Sequence, residues 1–223
     1  MTLADFTKPY STLEAWAYDR FIAAGPVRFF QELFSKTVMK DVPHGAAVLD
    51  VGCGGGQIAL ALAEARPDLS ITGLDLNTHQ VARARRRAKQ RGIDVSFVQG
   101  DALDVPFADR SFDAVYSVAS IKHWPGQSRG LRECLRVLRP NGLLFVVEAD
   151  RGCTLEDAGS FIDAVGVPGV FKPIALAAFR TWVAGRGIEI DETRELLASI
   201  DPPDWTVGRL EGVPALAITA KGR

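Results

Sequence analysis

Between residues 46 and 149 short apolar runs alternate with segments of helical period, and this alternation limits the possible folds more than any other feature. The runs are AAVLDV (46–51), SITGLD (70–75), DVSFVQG (94–100), FDAVYSV (112–118) and GLLFVVEA (142–149). Helical stretches lie between most of them, at about 57–66, 77–91 and 127–139. In the last of these Leu131, Leu135 and Leu138 share one face, and Arg139-Pro140-Asn141-Gly142 reads as a turn into the next strand. Strand–helix alternation of this length predicts an α/β fold with a doubly wound, mostly parallel sheet. Near the end of the chain TVGRLEG (206–212) and ALAITAK (215–221) are joined by Val213-Pro214. That short link predicts an antiparallel pair completing a seven-stranded sheet.

The first run ends in Val48-Leu49-Asp50-Val51-Gly52-Cys53-Gly54-Gly55-Gly56-Gln57, where strand gives way to helix. Glycines let a backbone adopt positive φ and approach a ligand closely. The free N–H groups of the following helix favour an anion or polar ligand. A dinucleotide fingerprint, G-x-G-x-x-G, would need glycine at position 57, which is Gln57. The residues spell G-x-G-x-G instead: Gly52, Gly54 and Gly56. Asp75 ends the second run, 19 residues after Gly56, placed to accept hydrogen bonds from ribose hydroxyls. The third run ends in Gly100-Asp101-Ala102, where a carboxylate can reach an adenine amino group. Three such elements in order, each at the carboxyl end of an expected strand, point to an adenine-nucleoside ligand.

The flanking segments are helical in pattern. Ser11 and Glu14 form a capping box, followed by Leu13, Ala17 and Phe21 at helical spacing. Gly25-Pro26 opens a second helix with the stripe Phe30, Phe34, Val38. Eight of the chain's 19 aromatics lie in residues 1–34, as core packing or as a lid over a substrate. Further helices are expected at about 155–165, 173–184 and 191–200. The resulting division is a helical lid (1–45), a core (46–150), a helical acceptor-side segment (151–200) and a strand pair (201–223).

Bulk properties exclude several classes. Net charge is −1, so nothing draws the whole chain toward nucleic acid or an anionic membrane. No apolar run reaches transmembrane length, and the N-terminus has no secretory h-region. Cys53, Cys134 and Cys153 lack disulfide or zinc spacing, so a reducing cytoplasm is expected. His44, His79 and His123 are scattered, without metal-ligand spacing. The run Arg83, Arg85, Arg86, Arg87, Lys89, Arg91 reads as a solvated helix face rather than a nucleic-acid patch. Asp201-Pro202-Pro203-Asp204 reads as a turn.

These residues resemble class I S-adenosylmethionine-dependent methyltransferases, of the small-molecule type that includes quinone-biosynthesis enzymes. VLDVGCGGG is similar to the family's first motif, LDLN (74–77) to its ribose motif, and QGDALDVPFADRSFDAVYSV (99–118) to its adenine-to-fourth-strand segment. SIKHWPG, LRECLRVLRPNGLLFVVE and LEGVPALAITAKG extend the likeness. It is continuous over about 46–150 and returns at the C-terminus. It implies a Rossmann-like sheet and S-adenosylmethionine as cofactor, with S-adenosylhomocysteine as product. Gly52, Gly54, Gly56 and Asp50 belong to the motif that cradles the methionine portion. Asp75 would bind the ribose, Leu76 would lie beside the adenine, and Asp101 and Ala102 would hold its edge. Ser117 would contact the methionine ammonium through its carbonyl. Tyr18-Asp19 resembles a pair in the group's N-terminal helix, near the cofactor.

Methyl transfer from a sulfonium needs alignment and exclusion of water more than acid–base chemistry. His123, just after the fourth strand, is the candidate base, or it packs its loop together with Trp124. Glu148 and Asp150 either position an acceptor or form a solvated strand end. The acceptor is a small molecule: a phenol or quinone, a polyketide-like metabolite or a lipid. Two other functions share these features, a non-catalytic S-adenosylmethionine-binding module and an NAD(P)-dependent oxidoreductase. Gln57 argues against the second.

Overall fold

The computed structural model describes residues 42–164 and 166–223. The strands are β1 (Ala47–Val51), β2 (Ser70–Asp75), β3 (Ser96–Gln99), β4 (Phe112–Val118), β5 (Leu138–Ala149), β6 (Thr206–Arg209) and β7 (Ala215–Lys221). They form one sheet in the order β3-β2-β1-β4-β5-β7-β6. Neighbours among β1 to β5 are parallel, and β7 runs antiparallel to both β5 and β6. The sheet is therefore Rossmann-like, with the expected antiparallel strand near the C-terminus. The chain winds outward from β1 to β3 and then returns to place β4 on the other side of β1. That reversal opens a crevice at the carboxyl ends of β1 and β4.

Helices α1 (Gln57–Ala65), α2 (Thr78–Arg91), α3 (Gln127–Val137), α4 (Leu155–Ala164), α5 (Lys172–Ala178) and α6 (Ile190–Ile200) fall close to the expected segments. Adjacent residues of β1 enter opposite layers, as the two-residue period of a strand requires. Val48 joins Leu60, Val81, Ala84, Phe97 and Tyr116. Leu49 joins Leu131, Val137, Val115 and Leu197. Both faces of β1 are covered, which is why its sequence reads as a continuous apolar run.

Helix α2 begins at Asn77, whose side chain accepts the His79 and Gln80 N–H groups, and ends at Gly92 with φ +65°. Val81, Ala84 and Ala88 form its buried stripe. None of its six basic residues is buried, as a solvated face requires, and two of them also reach backbone oxygens. Arg85 donates through Nε and Nη2 to the Phe97 carbonyl (2.9 and 2.6 Å), and Arg87 Nη1 donates to the Gly55 carbonyl (2.7 Å). The long stems cross the helix surface and bring the charged heads to backbone oxygens.

The turn expected at Arg139–Gly142 is absorbed within β5. Pairing jumps from Phe112↔Leu138 to Ala114↔Leu143, and Asn141 takes φ +62°. Asparagine tolerates that left-handed conformation. Beyond β5 a separate apolar cluster, Cys153, Ala158, Ile162, Phe179 and Ala184, holds α4 to α5. Helix α5 continues through a π turn (Phe179–Val183) into a 3₁₀ turn (Ala184–Arg186). The helices expected within residues 1–41, and Tyr18 with them, lie outside the described residues.

Candidate active site

The glycine turn leaves β1 with Gly52, Gly54 and Gly56 all at positive φ: +77°, +53° and +76°. Their surroundings differ. A Cβ on Gly52 would lie 1.9 Å from Ser120 Oγ, and one on Gly56 would lie 2.7 Å from the Phe97 ring. Those two glycines are required by close packing. A Cβ on Gly54 would meet nothing within 4 Å, so this residue faces open space beside the turn. Gly56 caps α1 with no side-chain partner, leaving the helix N-terminus to backbone N–H groups alone.

Asp75 organises the turn. Its Oδ2 accepts the Gly54 N–H (2.8 Å) and its Oδ1 accepts the Asn77 N–H (2.8 Å). The Gly52 and Cys53 N–H groups donate to the Leu74 carbonyl (2.7 and 3.0 Å). Burial raises the Asp75 carboxyl above its ordinary range, and the two backbone donors partly oppose this. Each carboxylate oxygen keeps a second lone pair for a ligand. Beside it Leu76 is 58 % exposed, an apolar side chain uncovered at the sheet edge. The Gly100 N–H donates to the Asp75 carbonyl (3.1 Å), which brings the turn carrying Asp101 and Ala102 alongside. Asp101 is exposed, with Oδ1 accepting the Leu103 N–H (2.8 Å).

Asp50 lies beneath the turn, buried and hydrogen-bonded by the Tyr116 hydroxyl. Burial pushes its carboxyl up to about 8; the Tyr116 hydrogen bond opposes the rise and nearby Asp75 adds to it. Ser117 ends the same face of approach on β4, paired with Val146 of β5 and fully buried. Thus Asp50, the three glycines, Asp75 and Leu76 share one end of the sheet with Asp101, Ala102 and Ser117.

The second half of the edge follows β4 and β5. His123 closes a 3₁₀ turn (Ile121–His123). Ile121 and Trp124 are buried, and Trp124 Nε1 donates to Ser120 Oγ (3.0 Å). Trp124 therefore packs the loop, while His123 reaches the surface with part of its ring covered by its neighbours. Partial burial lowers the His123 pKa, and Lys122 and Arg186 lower it further against the opposing pull of Glu148. Ser120 touches both Gly52 and Trp124, so this loop abuts the glycine turn.

Glu148 and Asp150 are not a solvated strand end; both are 1 % exposed. Asp150 is bonded by Arg209 Nε (2.7 Å) and the Gly152 N–H (2.7 Å), tying β5 to β6. Glu148 Oε1 accepts Lys122 Nζ and the Ala149 N–H, each at 2.8 Å, and Oε2 accepts the Lys122 N–H at 3.3 Å. Sequence reasoning missed Lys122. The available signal was an acid ending an apolar strand, with a lysine in the preceding loop as its counter-ion.

Residues 49–146 match the family model of the methyltransferase domain. The chain is 33 % identical over 183 residues to 27-O-demethylrifamycin SV methyltransferase of Amycolatopsis mediterranei, covering 78 % of this chain and 65 % of that one. It is 40 % identical over 101 residues to demethylmenaquinone methyltransferase of Thermus thermophilus, covering 45 % and 46 %. The chain thus spans less than two thirds of the length of either relative. A solved structure from Methanococcus maripaludis, provisionally described as an S-adenosyl-L-methionine-dependent methyltransferase, superposes with a TM-score of 0.77. It shares 18 % identity and covers 100 % of this chain and 97 % of its own, a likeness of fold. With the sheet order and the glycine turn, the match over residues 49–146 identifies this part of the chain as a methyltransferase domain, similar to those of S-adenosylmethionine-dependent methyltransferases.

Proposed function

We propose that this chain transfers the methyl group of S-adenosylmethionine to a small organic acceptor. The observation that carries this reading is the open side of Gly54, whose N–H is held by Asp75, with Leu76 exposed next to Asp75 in the chain. The residues present fit that cofactor. Gly52, Gly54 and Gly56 would cradle its methionine portion over Asp50. Asp75 would take the ribose hydroxyls, Leu76 and Ala102 would lie against the adenine with Asp101 at its amino edge, and the Ser117 carbonyl would face the ammonium. The cofactor supplies a methyl carbon on a cationic sulfur, open to in-line displacement by an acceptor lone pair, with the electrons of the broken bond returning to sulfur. The chain contributes orientation and exclusion of water. His123 is the base for acceptors that must lose a proton. Its lowered pKa keeps it neutral, hence able to take a proton, at physiological pH.

Residues 46–150 would hold the cofactor and 201–223 would complete the sheet, leaving 1–45 and 151–200 to enclose the acceptor. The relatives' names, a demethylrifamycin and a demethylmenaquinone methyltransferase, favour a phenolic, quinone-like or polyketide-like acceptor. Thermal-shift scans test the cofactor assignment: S-adenosylmethionine and S-adenosylhomocysteine should each raise Tm, and stabilisation by NADH alone would overturn it. Removal of residues 1–24 tests the lid. Acceptor turnover should vanish while S-adenosylmethionine binding falls much less; full activity in the folded truncation would refute the lid.

A further inference from the structure

The turn after β1 carries three glycines in a row, Gly54-Gly55-Gly56, and backbone conformation accounts for the outer two alone. Gly54 and Gly56 take positive φ, and Gly55 does not. At an ordinary φ any residue is acceptable. What Gly55 cannot admit is volume. A Cβ there would collide with Arg87 Nη1 and would lie 3.3 Å from Arg87 Cζ. The guanidinium of Arg87 lies against the Gly55 backbone, and its Nη1 donates to the Gly55 carbonyl (2.7 Å).

Each glycine of the run is held by a different part of the fold. Asp75, at the end of β2, accepts the Gly54 N–H (2.8 Å). Arg87, on α2, holds the Gly55 carbonyl. The Gly56 N–H donates to the Cys53 carbonyl (2.9 Å), and the Ala84 methyl, three residues before Arg87, leaves no room for a Cβ on Gly56. The peptide unit joining Gly55 to Gly56 is thus bonded at its oxygen by Arg87 and at its nitrogen by Cys53. Untied glycines sample many backbone states, and a ligand that had to order them would bind less tightly. A hydrogen bond from a charged donor is a strong tie. Resting on the methyltransferase reading above, we propose that Arg87 is a positioning residue for the cofactor: its guanidinium locks the Gly55 carbonyl and so pre-forms the turn whose Gly54 side receives S-adenosylmethionine. Gly55 is a glycine in order to admit that guanidinium. A plain charge effect would have the opposite sign. S-adenosylmethionine is a net cation, so loss of a nearby cation would tighten its binding or leave it unchanged. Loss of the hydrogen bond weakens it, and weakens S-adenosylhomocysteine, which has no net charge, to the same degree.

Calorimetry on the full chain should show Kd for both ligands raised about tenfold in Arg87→Met. Arg87→Lys, which keeps a donor of similar reach, should recover most of that loss. Gly55→Ala evicts the guanidinium without changing α2 and should match Arg87→Met, and combining the two should add little further. Arg86→Met removes an exposed charge from the same helix and should leave both Kd values within about twofold of wild type. Hydrogen exchange in the ligand-free Arg87→Met protein should quicken in a peptide covering residues 50–57 and stay unchanged in β4 and β5. Wild-type or tighter S-adenosylmethionine affinity in folded Arg87→Met, an equal loss in Arg86→Met, or no recovery in Arg87→Lys would each overturn the inference. If Arg87→Met fails to fold, Gly55→Ala decides: a tenfold loss supports the inference, and wild-type affinity overturns it. Failure of both ligands to bind the wild-type chain would instead overturn the methyltransferase reading, and this inference with it.

Discussion

The two halves of the sheet's carboxyl edge are built on different physics. The half around β1 and β2 is held by backbone: positive-φ glycines, amide donors and one organising carboxylate, Asp75. The half around β4 and β5 is held by side chains: a buried Lys122–Glu148 pair, Trp124 on Ser120, and Arg209 on Asp150. A backbone site depends on local residue type and fixes a common ligand. A side-chain site depends on which distant residues meet, and it can vary its ligand while the fold stays the same.

Breaking the side-chain half should have the largest effect on stability. Lys122→Met strands a buried carboxylate, and loss of one partner of such a pair costs about 3–5 kcal/mol. Urea denaturation should show that loss, with much of it recovered when Glu148→Gln is added. A loss of ~0.5 kcal/mol or less would mean the pair is effectively solvated.

Removing His123 should leave the fold intact and act on rate. With an acceptor hydroxyl un-ionised at neutral pH, His123→Asn should lower kcat by about a hundredfold or more. In the wild type kcat/KM should rise with pH as His123 loses its proton. The inflection should fall below histidine's ordinary value of about 6.5, because burial and the neighbouring cations lower its pKa. A flat profile, or an inflection above 6.5, would remove His123 as the base.

The backbone half can be sharpened by two glycine substitutions that differ in outcome. Gly52→Ala drives a Cβ into Ser120 at positive φ and should lower stability by about 1–3 kcal/mol. Gly54→Ala meets no protein atom, so its stability cost should be only the roughly 1–2 kcal/mol of a side chain at positive φ, while S-adenosylmethionine affinity falls. Equal cofactor affinity for wild type and Gly54→Ala would show that the open side of Gly54 is not the ligand side.

The same contrast explains what could be read from the sequence. Gly52-x-Gly-x-Gly56, Asp75 and Gly100-Asp101 are short-range signals, and each sits where the strand-and-helix period changes. The doubly wound, mostly parallel sheet followed from the alternation, whereas the strand order is fixed by long-range pairing. The Lys122–Glu148 pair joins residues that neither local period nor motif connects. It exists because β4 and β5 pair in the register Val118↔Val147, which sets the loop after β4 beside the end of β5. The hydrogen bonds of Arg85 and Arg87 were hidden for a related reason. A long cationic stem on a basic helix can reach a carbonyl or water, and the choice depends on how closely β3 and the glycine turn approach. The extended β5 absorbed an expected turn because Asn141 accepts positive φ inside the ladder.

Titration calorimetry on Asp75→Ala is the most direct test of the claim that the glycine turn and Asp75 form the cofactor site. Charge-assisted hydrogen bonds to a ribose are worth about 1.5–3 kcal/mol each. The substitution also removes the acceptor for the Gly54 and Asn77 N–H groups. We predict that Kd for S-adenosylmethionine rises at least about tenfold while circular dichroism shows the fold retained. Unchanged affinity in a folded Asp75→Ala protein would contradict the account.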